Sequence, residues 1–415
     1  MTLSGHMNDV QRRLGTKDAV VIGLGSMIGA GVFSAMGPAA QAAGAWLLAG
    51  LAVAALVAYC NATSSARLAA IHPASGGTYV YGTRQLGPFW GYTAGWSFVV
   101  GKTASCAAMA LTVGAYAVPG AERPVALAVV LALVALNCLG IHKSAVLTRV
   151  IVGVVLLALA LFVVTGWAFG PAAPRYVGAE PSLRGVLQAA GLLFFAFAGY
   201  ARIATLGGEV RDPARTIPRA IPLALGITLV VYTLVAATSL YVLGAAGMAA
   251  SPAPLVDVAR DTGGAWLVVV VQVAAVVAAT GSLLGLILGV SRTTLAMAGD
   301  GHLPRPLSTV SERHGTPWIA EVTIGAVVIA LVLVSDLRGA IGFSSFGVLF
   351  YYAVANISAW TLRREQGRPP AWVPVVGLTG CLVLAASLPV ASVIGGGVVV
   401  AVGIVVYLVR ARLRP

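Results

Sequence analysis

The chain has 415 residues, 59% of them hydrophobic and only 9% charged, with a mean hydropathy of +0.93. A soluble domain carries about a quarter charged residues, so this composition cannot clothe a water-facing surface and excludes a soluble globular protein. The net charge of +13 would suit nucleic acid only if the basic residues clustered in a patch with aromatics between them, and they do not.

In chain order, residues 1–17 are polar and lack a small-residue cleavage pattern, so a cytoplasmic N-terminal segment with no cleavable signal is expected. Apolar runs follow, each near the roughly 20 residues that cross a bilayer. They fall at 18–41, 45–70, 88–117, 124–141, 146–170, 184–207, 219–244, 264–290, 318–335, 339–362, 372–389 and 391–410. Short loops marked by Pro, Gly or charge join them, such as Pro171 to Pro174 and Pro369-Pro370, and the longest connection is read at about 291–317. With both termini inside, nineteen basic residues fall at the cytoplasmic face. Only Arg123, Arg175, Arg184, Arg260 and Arg338 fall at the other. That asymmetry is the positive-inside rule and predicts a multi-pass protein of the cytoplasmic membrane. The lipid bilayer is its first expected partner, and nucleic acid is not one. Cys60, Cys106, Cys138 and Cys381 lie in or beside apolar runs, without metal-ligand spacing, and read as small buried residues. No metal site or cofactor is expected.

The first span reads Gly23-Leu-Gly-Ser-Met-Ile-Gly-Ala-Gly-Val-Phe33. Each interior glycine costs a helix about 1 kcal/mol relative to Ala, so this segment is poised to unwind. Gly23-x-Gly25 also imitates a dinucleotide fingerprint, but no strand–turn–helix context accompanies it. The sixth span, Phe194-Phe-Ala-Phe-Ala-Gly-Tyr-Ala-Arg202, carries a glycine and a charge in mid-run. These two spans open the two halves of a ten-span unit, 18–170 and 184–362, with 372–410 following. Interrupted spans at matching places are the best sequence pointer to a transporter site.

Unwinding inside a bilayer frees peptide groups that hydrocarbon cannot satisfy. At Gly29, Ala30 and Gly31 the N–H groups and the positive helix end suit a carboxylate. The carbonyls near Met27 and Phe194 to Phe197 suit an ammonium, so a zwitterionic amino acid fits this backbone. The other reading is that Gly25-x-x-x-Gly29 is only a packing face. Ionisable residues inside spans are functional candidates, and two stand out. Lys102, in the third span, is a proton-coupling group, a tether for the broken helices, or a lysine bonded to carbonyls for packing. Arg202, beside the second break, is expected to reach toward Glu209. Thr280 and Ser282 in the eighth span carry hydroxyls suited to Na⁺, the weaker coupling candidate beside H⁺, or merely back-bonded to their own turn.

These residues resemble the amino acid–polyamine–organocation transporter superfamily. The likeness rests on Gly25 to Phe33, on Pro73-Ala-Ser-Gly-Gly-Thr-Tyr-Val-Tyr81, on Gly208-Glu-Val-Arg-Asp-Pro-Ala-Arg-Thr-Ile-Pro-Arg219, and on Ser291-Arg292 through Ala296-Met-Ala-Gly-Asp-Gly-His-Leu-Pro304. The resemblance implies an all-α integral membrane fold of about twelve transmembrane helices. Ten form a five-plus-five inverted repeat (leucine-transporter-like) with discontinuous helices 1 and 6, and two helices follow. It implies alternating access, with Gly29, Ala30 and Gly31 on the substrate carboxylate and Ser26 lining the site. The carbonyls around Phe194 to Phe197, with Ala198 and Gly199 at the break, would take the amine. Phe195 would lie near the outer gate, Lys102 at a site-lining position, and Leu286 where some antiporters carry an aromatic. Ala201 replaces an acid that many relatives carry, and Val155 falls about where several carry a lysine.

The expected function is secondary transport of amino acids, neutral first and acidic second, by symport or exchange. Two intramembrane cations disfavour cationic guests. A transporter of another small amine or metabolite in the same fold is the runner-up. A membrane-embedded enzyme needs a buried nucleophile and base or a metal cluster, yet His6, His72, His142, His302 and His314 all fall at or beyond the cytoplasmic ends of spans. A channel needs a polar pore ring, and none is visible.

Overall fold

Where lipid surrounds a chain, its peptide groups must be satisfied within the segment, and an apolar run does so by forming a helix. A computed structural model describes residues 14–72, 76–140, 145–171, 182–204, 206 and 210–413, and helices dominate throughout. Arg12, Arg13, Lys143, Arg175 and Arg414, together with His6 and His142, lie outside the described residues, as does most of the Pro171–Pro174 loop.

The first expected span is three helical pieces, α1 (Thr16–Met27), α2 (Gly31–Ser34) and α3 (Met36–Ala43). Then come α4 (Leu47–Ile71), the short α5 (Thr78–Leu86), α6 (Pro88–Ala117), α7 (Glu122–Cys138) and α8 (Ala145–Phe169). The sixth expected span is α9 (Leu183–Phe197), a 3-10 turn over Ala198–Tyr200, and α10 (Ala201–Ala204). The chain continues through α11 (Pro213–Ala250), α12 (Pro254–Gly299), α13 (Trp318–Val334), α14 (Leu337–Trp360), α15 (Trp372–Ser387) and α16 (Val390–Leu413). Every expected span is helical, and the protein is an all-α multi-pass membrane protein.

Two differences from the sequence reading have physical causes. The longest connection begins after Gly299, not at 291, because α12 continues past the apolar run. Hydropathy falls at Ser291-Arg292-Thr293-Thr294, but Ser291, Thr294, Met297 and Ala298 are buried on one helical face. Their hydroxyls satisfy themselves by back-bonding, Ser291 to Ile287 O at 2.9 Å and Thr294 to Val290 O at 3.0 Å. Beyond the expected ends at 244 and 264, α11 and α12 each join a further helical piece across a kink. There Gly244 (φ 68°) and Gly264 (φ 67°) adopt left-handed backbone that other residues rarely tolerate.

The layering follows from which faces are apolar all round. α6 is largely buried and packs against α14, α12, α5 and α7. α8 and α16 are mostly outward-facing. Their exposed residues, Leu157, Val164, Phe169, Val398 and Val405 among them, form a surface suited only to lipid. Without a hydrophobic force between helices in lipid, close packing holds the bundle, and small residues permit it. At the α6–α14 crossing a Cβ on Gly347 would stand 2.8 Å from Ser97 O and 2.9 Å from Gly101 Cα. The same crossing is bonded by Ser105 Oγ and Ser344 Oγ at 2.5 Å. Replacing Gly347 with Leu should therefore separate α6 from α14 and cost about 1–3 kcal/mol or more. A lowered melting temperature and a reduced monodisperse fraction in detergent would be the readout, and an unchanged melting curve would contradict this packing.

Candidate functional site

The break in α1 arises where Ile28, Gly29 and Ala30 leave the helix between Met27 and Gly31. Glycine on both sides of Ala30 lowers the cost of leaving it. Among the described residues, the N–H groups of Gly29, Ala30 and Gly31 donate no hydrogen bond. They are the free donors expected of this stretch. The carbonyls at the end of α1 are engaged differently. Gly25 O accepts from Ser282 Oγ at 2.9 Å, and Met27 O accepts from Tyr232 Oη at 2.5 Å.

The second break is tighter than an unwound stretch. Phe197 passes directly into the 3-10 turn Ala198–Tyr200, and Phe197, Ala198 and Ala201 keep right-handed helical backbone. A 3-10 turn rotates the carbonyls off the α-helical ladder while costing less backbone disorder than full unwinding. Ala196 O accepts from Tyr232 Oη at 3.1 Å, and Ala198 O accepts from Lys102 Nζ at 3.3 Å. One hydroxyl from α11 thus bridges both breaks.

The two interruptions touch. A Cβ on Gly199 would meet Ser26 O at 2.4 Å, and one on Gly31 would meet Ala196 Cα at 2.6 Å. On the other side of α1, a Cβ on Gly29 would meet Ser282 Oγ at 2.0 Å. The glycines are therefore needed for the approach of helix to helix, besides easing the break.

The remaining expected residues are distributed around this contact. Lys102 is buried and forms no ion pair among the described residues, so its amine tethers the second break. Ser26 directs its hydroxyl to Ile22 O at 3.0 Å, back along its own helix. Phe194 and Phe195 are buried, with Phe194 edge-on to Tyr352 at 5.8 Å. Phe197 lies against the Tyr232 ring at 5.2 Å, and Leu286 packs on the core. Ser282 reaches α1, whereas Thr280 makes no hydrogen bond to it. Arg202 is exposed on α10. Its expected partner, Glu209, lies outside the described residues, as do Pro73, Ala74, Ser75 and Gly208 of the motifs.

Ties close both ends of the bundle. On the face where α1 begins, Arg149 Nη2 pairs with Asp18 Oδ1 at 2.5 Å, and Arg211 N donates to Leu14 O at 2.9 Å. Nearby the second and fourth sequence motifs meet. Tyr79 Oη donates to Asp300 Oδ2 at 2.5 Å and lies 2.9 Å from His302 Nδ1. Burial first, and then the bond to Asp300, push the Tyr79 hydroxyl pKa up, so the phenol stays a donor at ordinary pH. At the opposite face Arg338 of α14 bonds Gln41 on α3 and Gln188 Oε1 on α9, the latter at 3.2 Å.

Tyr232 was missed in the sequence because an aromatic inside an apolar run reads as core. Only its hydroxyl, unexplained in hydrocarbon, sets it apart from phenylalanine.

The structure is a multi-pass membrane bundle built on two interrupted helices, with unbonded backbone donors at one break and bound carbonyls at both. The chain belongs to the amino acid permease family, whose model matches residues 14–409. It is 64% identical over 405 residues to an uncharacterized transporter of Mycobacterium tuberculosis H37Rv, covering 97% of this chain and 92% of that protein. It is 27% identical over 444 residues to the branched-chain amino acid permease BcaP of Bacillus subtilis, covering 97% and 94%. It is also 27% identical over 399 residues to the vacuolar cationic amino acid transporter 4 of Arabidopsis thaliana, covering 89% and 65%. The protein is a transporter, not an enzyme.

Tyr232→Phe keeps the ring and removes the donor shared by Met27 O and Ala196 O. It should cost roughly 1–3 kcal/mol, the penalty for leaving buried acceptors unmet. Thermal unfolding of the purified variant in detergent measures it, and a melting temperature equal to wild type would show the bridge to be idle.

Proposed function

We propose that the protein carries neutral amino acids across the cell membrane by alternating access, with both termini on the cytoplasmic side. The observation that carries this reading is the meeting of the two breaks. Free N–H groups of Gly29, Ala30 and Gly31 lie on one helix, and carbonyls already accepting from an amine and a hydroxyl lie on the other. A substrate carboxylate suits the first set. Its ammonium suits the second, as the bond from Lys102 Nζ to Ala198 O illustrates with a side-chain amine. In this reading 18–170 and 184–362 are the two repeats, each opened by its broken helix, and 372–410 adds the last two spans.

Lys102 supports the choice of guest. A second cation placed beside its amine would be repelled in a medium of low dielectric, so arginine and lysine are poor substrates. The Bacillus relative, which aligns along nearly its whole length, is named for branched-chain amino acids, and that class is neutral. The Arabidopsis relatives are named for cationic ones, which makes the charge of the guest the point to test. Of the coupling candidates, Ser282 is occupied in capping Gly25 O, which favours H⁺ coupling or exchange over Na⁺.

Counterflow into proteoliposomes, screened across the twenty amino acids at two pH values, tests the assignment. Saturable exchange of leucine, isoleucine or valine is expected, with arginine and lysine at least about tenfold weaker, a difference of 1.4 kcal/mol. A preference for arginine or lysine would overturn the neutral reading, and a preference for glutamate would give Lys102 to the substrate side chain. Lys102→Ala frees Ala198 O and should abolish pH-driven accumulation; full accumulation in that variant would remove Lys102 from coupling.

A further inference from the structure

A buried carboxyl group lies away from the two breaks. Glu321 sits in the first turn of α13 and is fully buried, as is Asn137 in the last turn of α7. Asn137 Nδ2 donates to Glu321 Oε2 at 3.2 Å and to Leu284 O of α12 at 3.4 Å. Two atoms of this pair are left over. Glu321 Oε1 and Asn137 Oδ1 are both buried and neither has a hydrogen-bond partner.

The carboxyl forms no ion pair among the described residues, and Arg292 of α12 acts on it only at a distance. α13 packs against α7, α6, α12 and the turn at Arg305–Ser308. From α12, the Ser291 hydroxyl stands near the carboxyl and donates to Ile287 O at 2.9 Å. Arg292, also on α12, is exposed and forms no ion pair with Glu321 among the described residues. Arg305 in the turn is exposed as well. The other titratable groups facing the site are the thiols of Cys138 on α7 and Cys106 on α6, neither of them a cation. Lys102, one turn from Cys106, points its amine to Ala198 O instead.

The leftover atoms share one feature: with the carboxyl ionised, both are acceptors, and two acceptors cannot satisfy each other. A single proton removes the conflict. A carboxylic acid and a primary amide are complementary, the acid O–H donating to the amide oxygen while the amide N–H donates to the acid carbonyl. The second of those bonds is already present. We propose that Glu321 and Asn137 form a proton-binding site, in which a proton on Glu321 Oε1 is donated to Asn137 Oδ1 and seals α13 against α7 and α12.

Loss of the proton leaves a buried carboxylate without an ion pair among the described residues, and the contact must then open to water. The site also connects with the transport path. Leu284, whose carbonyl Asn137 holds, is two residues from Ser282, which caps Gly25 O at the first break. Proton occupancy at Glu321 thereby biases the seat of α12 against α1. This extension rests on the transporter reading, while the proton site itself does not.

Infrared difference spectra of the purified protein in lipid, recorded between acid and alkaline pH, read the proton directly. A buried carboxylic-acid carbonyl band is expected in wild type, absent in Glu321→Gln and shifted in Asn137→Ala. In counterflow, the wild-type rate should vary with pH by up to about tenfold per unit, the limit for one proton. Glu321→Gln, which keeps the shape and the amide-like pairing, should be flat with pH. A wild type lacking the band, or a Glu321→Gln variant retaining it or the wild-type pH profile, overturns the proposal. If Glu321→Gln does not fold, an unshifted band in Asn137→Ala overturns it instead. If no amino acid is exchanged at all, the transporter reading fails and the infrared result still decides the site.

Discussion

A peptide group exposed to hydrocarbon must find a hydrogen-bond partner, and the interior of this protein is arranged around that requirement. Two helices are interrupted within the bundle. The interruptions are stable because other helices lend side-chain donors to the carbonyls released. Ser282 of α12 serves Gly25, Tyr232 of α11 serves Met27 and Ala196, and Lys102 of α6 serves Ala198. Each donor comes from a helix that runs through the layer, so each break is held by long and rigid elements. Among the described residues, the N–H groups of Gly29, Ala30 and Gly31 at the first break have no such lender.

This arrangement demands a close fit. A hydroxyl or amine reaches a carbonyl only if the helices approach nearly to backbone contact, and lipid supplies no hydrophobic force to press them together. Gly199 against Ser26, Gly31 against Ala196 and Gly29 against Ser282 make that approach possible. The glycines of the first span therefore serve two ends. They weaken the helix enough to break it, and they clear the space in which the broken ends are rejoined by other helices.

Much of this was legible in the sequence, and the limits have physical causes. The spans were readable because lipid enforces an apolar run of fixed length, and the first break because four glycines in Gly23–Gly31 stand out from any helix. The second break was readable as a place, from Gly199 and Arg202, but not as a tight 3-10 turn, since that choice depends on what packs against it. Lys102 was legible as a charge in hydrocarbon; its contact with Ala198 O was not, because the two lie on different helices. Tyr232 and Glu321 were overlooked for opposite reasons. The first hid in an apolar run as one more aromatic. The second sat near the end of a span, where an acid ordinarily meets water, and the packing of α7, α6 and α12 against α13 buries it. The length of α12 was misjudged because hydropathy measures lipid contact, whereas hydroxyls that back-bond to their own turn let a helix outlast its apolar stretch.

The same reasoning separates the substrate class from the fold. In the proposed reading the backbone breaks would meet the carboxylate and ammonium that every α-amino acid shares, and so would say nothing of the side chain. Discrimination would then come from side chains beside the breaks, and the buried charge that bonds a break carbonyl there is the amine of Lys102. An amine already bonded to Ala198 O resists a second cation and tolerates an apolar neighbour. In the proposed reading the breaks themselves lie in glycines and carbonyls, while the choice among neutral, acidic and basic guests would rest on Lys102.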